Sequence, residues 1–87
     1  MYLVYILYSD KLDKYYKGYT NSISERLKRH NAGYEKYTRY GTPWKLILTI
    51  EKPTKSDAII LESKLKNLNR ERLELFIFKY QNSNPDD

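Results

Sequence analysis

Tyr2-Leu3-Val4-Tyr5-Ile6-Leu7-Tyr8 and Lys14-Tyr15-Tyr16-Lys17-Gly18-Tyr19-Thr20 are two aromatic-rich runs joined by the polar stretch Ser9-Asp10-Lys11-Leu12-Asp13. Runs of this length with a short polar connection read as an antiparallel β-hairpin. Side chains alternate across a strand, so Leu3, Tyr5 and Leu7 share one face of the first strand. Tyr16, Gly18 and Thr20 share one face of the second. The pattern predicts that Tyr5 and Tyr16 form a pair across the hairpin.

Working outward, Asn21 or Ser22 is placed to cap a helix through Ser22-Ile23-Ser24-Glu25-Arg26-Leu27-Lys28-Arg29-His30, which Ala32-Gly33 ends. Ile23 and Leu27 mark its inner stripe, and Arg26 and His30, one turn apart, lie along the stripe's edge. Residues 34–43 have no helical period and read as a loop mixing Lys36 and Arg39 with tyrosines. Trp44-Lys45-Leu46-Ile47-Leu48-Thr49-Ile50 is a third strand. Ser56 is expected to cap a second helix running to about Leu68, with Ala58, Leu61, Leu65 and Leu68 inward. Asn69 is expected to cap a third, Arg70 to about Tyr80, with Leu73, Phe76, Ile77 and Tyr80 inward. The order β-β-α-β-α-α predicts an α+β fold, a three-stranded antiparallel sheet flanked by helices. Residues 1–80 then form one domain and residues 81–87 a polar, flexible tail.

Lysine and arginine outnumber acids by 16 to 11, and two of those acids, Asp86 and Asp87, fall in the tail. A basic excess on so small a domain favours polyanionic partners such as nucleic acid or a membrane surface. Ten tyrosines stand against two phenylalanines and one tryptophan, a bias that suits thin cores, interfaces and base stacking alike. The absence of cysteine excludes disulfides and thiolate zinc sites. No apolar run approaches the roughly 20 residues of a membrane span. A cytoplasmic protein is the expectation.

The ordered set Leu3-Val4-Tyr5, Tyr16-Lys17-Gly18-Tyr19-Thr20, Glu25-Arg26-Leu27, His30-Asn31-Ala32-Gly33, Tyr37-Thr38, Pro43-Trp44-Lys45-Leu46 and Ala58-Ile59-Ile60-Leu61-Glu62 resembles the GIY-YIG nucleases. The likeness is to short, single-domain, excinuclease-like members, and it covers roughly residues 2–78. Leu3-Val4 and Lys17 depart from the family's triplets, with Lys17 placing a cation where an isoleucine would pack. The family's additional asparagine has no clear counterpart, although Asn67 and Asn69 are close. The resemblance implies a phosphodiesterase site made of Tyr5, Tyr16, Arg26 and Glu62, with His30 contributing as in some members. It implies a divalent-metal-dependent DNA endonuclease acting in repair or recombination on branched, nicked or damaged DNA, with a protein partner as one source of specificity.

The chemistry fits those residue types. Arg26 stays charged and forks onto phosphate. Glu62 offers a hard oxygen to Mg²⁺ or Mn²⁺, with water and substrate phosphate completing the shell. A tyrosine base needs its pKa of about 10 lowered, and Lys17, Arg26 and Lys28 are the nearest cations in sequence. Tyr5 is assigned to orienting or deprotonating the attacking water and Tyr16 to the phosphate or the proton relay, with the two roles exchangeable. Lys17, Lys28, Arg29, Lys36 and Arg39 are candidates for the nucleic-acid surface. On the residues alone, Tyr5 and Tyr16 equally suit a cross-strand aromatic pair, and Glu62 equally suits an ion pair with Lys66. The alternatives are accordingly a non-catalytic nucleic-acid-binding module and a protein-interaction domain on the same fold.

Overall fold

The computed structural model describes residues 1–82. Three strands, β1 (Tyr2–Ser9), β2 (Lys14–Thr20) and β3 (Trp44–Lys52), form one antiparallel sheet in the order β2-β1-β3. Because β1 is central and covered on both faces, it needs a nearly continuous apolar run rather than alternation. Val4 and Ile6 point into one core with Ala58, Leu65, Leu73 and Ile77. Tyr5 and Leu7 point into the other with Trp44, flanked by Tyr16, Ile23 and Leu27.

Helix α1 (Ile23–Asn31) therefore covers the Tyr5 face, while α2 (Lys55–Lys66) and α3 (Arg70–Gln81) cover the Val4 face. This is the expected α+β order. Ser22 is the N-cap of α1 but its side chain caps nothing. Instead Thr20 Oγ1 accepts from Ser22 N–H at 3.0 Å and holds the entry turn. Asn69 caps α3 as expected, its Oδ1 accepting from Arg72 N–H at 2.9 Å.

Several local expectations shift. Thr54, not Ser56, caps α2, because its Oγ1 accepts from Asp57 N–H at 3.1 Å. The helix ends at Lys66, two residues before Leu68. Tyr80 is exposed rather than inward, leaving Leu73 and Ile77 as the buried positions of α3. Thr38–Gly41 tightens into a 3₁₀ turn over Arg39–Gly41 inside the predicted loop. Of the expected tail, Gln81 closes α3 and Asn82 follows it as the C-cap, while residues 83–87 lie outside the described residues. Among the described residues, no helix is long and apolar enough to cross a membrane.

The hairpin register changes the tyrosine relationship. Tyr5 is opposite Gly18, and Tyr16 is opposite Leu7, so the two tyrosines are diagonal neighbours with ring centroids 6.3 Å apart. Gly18 is what makes room for the Tyr5 ring: a Cβ there would lie 2.5 Å from the Tyr5 hydroxyl.

Candidate active site

The site forms where the Tyr5 face of the sheet meets α1 and the loop that follows it. Tyr5 is fully buried, and its hydroxyl lies 3.0 Å from His30 Nε2 and 3.4 Å from Arg26 Nε. His30, expected at the helix edge, is instead buried at 1% exposure. Its Nδ1 lies 2.7 Å from Thr38 Oγ1. Arg26 Nε–H donates to the Tyr5 oxygen, so the buried Tyr5 O–H must find its own acceptor, and His30 Nε2 is the one within reach. That fixes the imidazole with its proton on Nδ1, donating to Thr38. Every buried side-chain nitrogen and oxygen among the described residues has a partner.

The electrostatics of this chain follow from its burial. Desolvation raises the Tyr5 pKa, and only Arg26 pulls it back, by its hydrogen bond and its charge. Lys17 and Lys28, named as neighbours in sequence, are not among the main causes of that shift. Desolvation also lowers the His30 pKa, with Arg26 and Arg29 adding to it and Glu35 opposing, which keeps the ring neutral at neutral pH. Arg26 in turn is held charged by the Tyr5 hydroxyl.

Tyr16 is half-buried, edge-on to His30 with centroids 5.0 Å apart, and within 6.2 Å of both Tyr37 and Trp44. Burial raises its pKa most, Arg26 and Lys66 lower it, and Glu35 and Glu62 raise it. Glu62 lies on α2, in the opposite helical layer, and its charge is the weakest of these influences on Tyr16. Glu62 is 9% exposed and its Oε1 is 3.0 Å from Lys66 Nζ, the ion pair that its spacing allowed. Tyr5, Tyr16, Arg26 and His30 are brought together; Glu62 is not among them, since it lies on α2 in the other layer and pairs with Lys66.

Three partners were not legible in sequence. Glu35 Oε1 bridges Arg26 Nη1 at 3.7 Å and Arg29 Nη2 at 3.2 Å, partly neutralising both. Thr38 holds His30, and its carbonyl accepts the Trp44 indole N–H at 2.6 Å. Asn31 clasps Trp44 from α1, with Oδ1 accepting the Trp44 N–H at 2.6 Å and Nδ2 donating to its carbonyl. The repeated polar and aromatic residues of 31–44 signalled contact, but not which side chains met. Lys28, Lys36 and Arg39 are exposed, and Arg39 stacks over the Tyr40 ring at 5.0 Å. Tyr34, Tyr37 and Tyr40 are 77%, 86% and 63% exposed, so the loop presents its rings to solvent instead of folding them on Trp44.

The family profile described as the GIY-YIG catalytic domain matches residues 1–81. The chain belongs to the GIY-YIG family. The UPF0213 protein YazA of Bacillus subtilis is 39% identical over 74 residues, covering 84% of this chain and 75% of the relative. The UPF0213 protein VNG_2274C of Halobacterium salinarum is 43% identical over 61 residues, 69% of this chain and 79% of that one. The solution NMR structure of the UPF0213 protein BH0048 from Bacillus halodurans superposes with a TM-score of 0.60 at 33% identity, covering 99% of this chain and 90% of that chain. The GIY-YIG family is a nuclease superfamily acting on nucleic acid, in general with a divalent metal. The three-stranded sheet and flanking helices described above are that fold.

A divalent ion must be tested against the donors present. Among the described residues no group of three or more His, Cys, Asp or Glu side chains converges. Glu62 is nevertheless a nearly buried carboxylate, held by one exposed lysine, Lys66, that lines the same cavity as Tyr16 and that an ion can displace. A hard ion that keeps several waters and binds substrate phosphate needs no more than this from the protein. The residues fit such an ion.

Proposed function

We propose that this GIY-YIG domain is a Mg²⁺- or Mn²⁺-dependent DNA endonuclease that hydrolyses phosphodiester bonds, selective for branched, nicked or damaged structures and working in repair or recombination. The observation that carries the reading is the buried chain Thr38–His30–Tyr5 with Arg26 Nε set against its phenol end. An arginine aimed by a solvent-excluded phenol is a fixed cation for the charge that develops on phosphoryl oxygens.

Burial favours exchanging the two tyrosine roles. Tyr5 has no solvent access, so it fixes Arg26 and passes its proton toward neutral His30. Tyr16, which reaches an open cavity, is the phenol that orients the attacking water; burial raises its pKa, so it acts as a protonated hydrogen-bonding group and not as the base. Glu62 would hold the ion with water and phosphate, and the ion would supply positive charge to the phosphoryl oxygens. Lys17, Lys28, Arg29, Lys36 and Arg39 would meet the DNA backbone, and specificity beyond that surface would come from DNA shape or a protein partner.

The Glu62–Lys66 ion pair favours one second reading, a nucleic-acid-binding module that has lost catalysis. Incubation with linear, supercoiled, nicked and branched DNA, with either metal or with chelator, separates the two. Metal-dependent cleavage of at least one substrate supports the endonuclease. Salt-dependent binding that survives Glu62→Ala, with every substrate intact, selects the binding module.

A further inference from the structure

Beside the site, a cavity of about 400 Å³ opens between Tyr15, Tyr16, Lys17, Tyr37 and Lys66. That is within the range of small-ligand sites, roughly 300–1,000 Å³. Its walls combine three aromatic rings with two ammonium groups, the composition that accommodates a base or sugar and its phosphate. Lys17 is desolvated and feels the charge of Lys66, so its ammonium is held below its ordinary range. An anion between the two lysines would relieve that repulsion. Tyr37, at 86% exposure, keeps the ring face free.

Lys66 has a second engagement. Its Nζ is 3.0 Å from Glu62 Oε1, and this hydrogen bond is what raises its pKa most. The lysine lines the cavity and also holds the carboxylate behind it.

We propose that this cavity binds a nucleotide of the substrate strand, its phosphate between Lys17 and Lys66 and its base or sugar against Tyr37, and that Lys66 is shared between that phosphate and Glu62. Neutralising or occupying Glu62 releases Lys66 to the strand. Nucleotide binding and occupation of the carboxylate therefore reinforce each other, as linkage requires. The proposal rests on the nuclease reading for why a strand lies here, but its test involves no cleavage.

The test is fluorescence anisotropy of a short labelled DNA carrying paired and unpaired segments, in chelator, over a range of salt, with an RNA of the same sequence in parallel. Glu62→Gln should tighten binding by about two- to fivefold, the worth of a partly exposed ion pair. It should also steepen the salt dependence by about one phosphate contact. In a Lys66→Gln background the same substitution should do nothing, and Tyr37→Ala should weaken binding about tenfold, the loss of one aromatic stack. Equal tightening by Glu62→Gln with or without Lys66 overturns the sharing, because the carboxylate would then act only by its charge. No effect of Tyr37→Ala and Lys17→Gln, or no affinity for either nucleic acid, overturns the site. Circular dichroism confirms that each variant is folded. A protein that passes this test and cuts nothing with metal keeps the cavity and loses the endonuclease reading; one that cuts DNA and fails it does the reverse.

Discussion

The Tyr5 hydroxyl lies 3.0 Å from His30 Nε2 where solvent does not reach, so each group depends on the other for its hydrogen bond. Removing the hydroxyl leaves the imidazole nitrogen without a partner and Arg26 without its anchor. Tyr5→Phe is expected to cost about 1–3 kcal/mol of stability, the range for an unsatisfied buried group. Cleavage should fall about a hundredfold or more, as when a positioned catalytic group is lost. Denaturant melts and nicking rates on the same preparation check both.

Thr38 should act through His30. Its Oγ1 is the acceptor that keeps the imidazole proton on Nδ1. Thr38→Val removes that acceptor and lets the proton move to Nε2, where it opposes donation from Tyr5. Thr38→Ser keeps the oxygen. We expect cleavage to fall about tenfold or more in the valine variant and to be largely retained in the serine variant, at matched folded fraction. Equal loss in both would assign Thr38 to packing alone.

The acid side of the pH profile follows from His30. Burial, then Arg26 and Arg29, hold its pKa below the ordinary 6.5, while Glu35 opposes them. The unfolded chain binds the proton more readily, so the stability contributed by neutral His30 is complete above about 6.5. It declines as pH falls from there through the folded-state value. Thermal melts from neutral pH to about pH 5 should show this decline, and His30→Gln should flatten it. Cleavage should lose rate over the same window, because protonated His30 cannot accept from Tyr5.

Gly18 should tolerate no side chain. A Cβ at this position would sit 2.5 Å from the Tyr5 hydroxyl and 2.6 Å from its Cζ, against a ring with no free space. Gly18→Ala is expected to cost about 1–3 kcal/mol as overpacking and to disturb Arg26 through Tyr5. A lowered melting temperature together with weakened cleavage is the expected pair of results.

The sheet and helix order were legible because β1 is apolar throughout and the helical stripes carry the right period. The capping of α3 by Asn69 was legible for the same local reason. The cap of α2 was not, since Thr54 and Ser56 offer similar hydroxyls and only the helix start decides between them. The four clustered site residues came from a pattern spread over β1, β2 and α1, which local rules alone would have given to packing. Glu35 and Thr38 could not be read, because a loop without period does not say which side chains turn inward. The sequence also could not tell that Tyr5 would be sealed and Tyr16 accessible, a difference set by where α1 and Trp44 lie across the sheet.

The most direct measurement is the nicking of supercoiled and branched DNA by wild-type protein and by Tyr5→Phe, Arg26→Ala and Glu62→Ala, each shown to be folded, in Mg²⁺, Mn²⁺ and chelator. The account predicts cleavage by wild-type protein with metal only, and a loss of about a hundredfold or more in each of the three variants. Wild-type protein inert on every DNA structure with either metal, or variants that cut as well as it does, would contradict it.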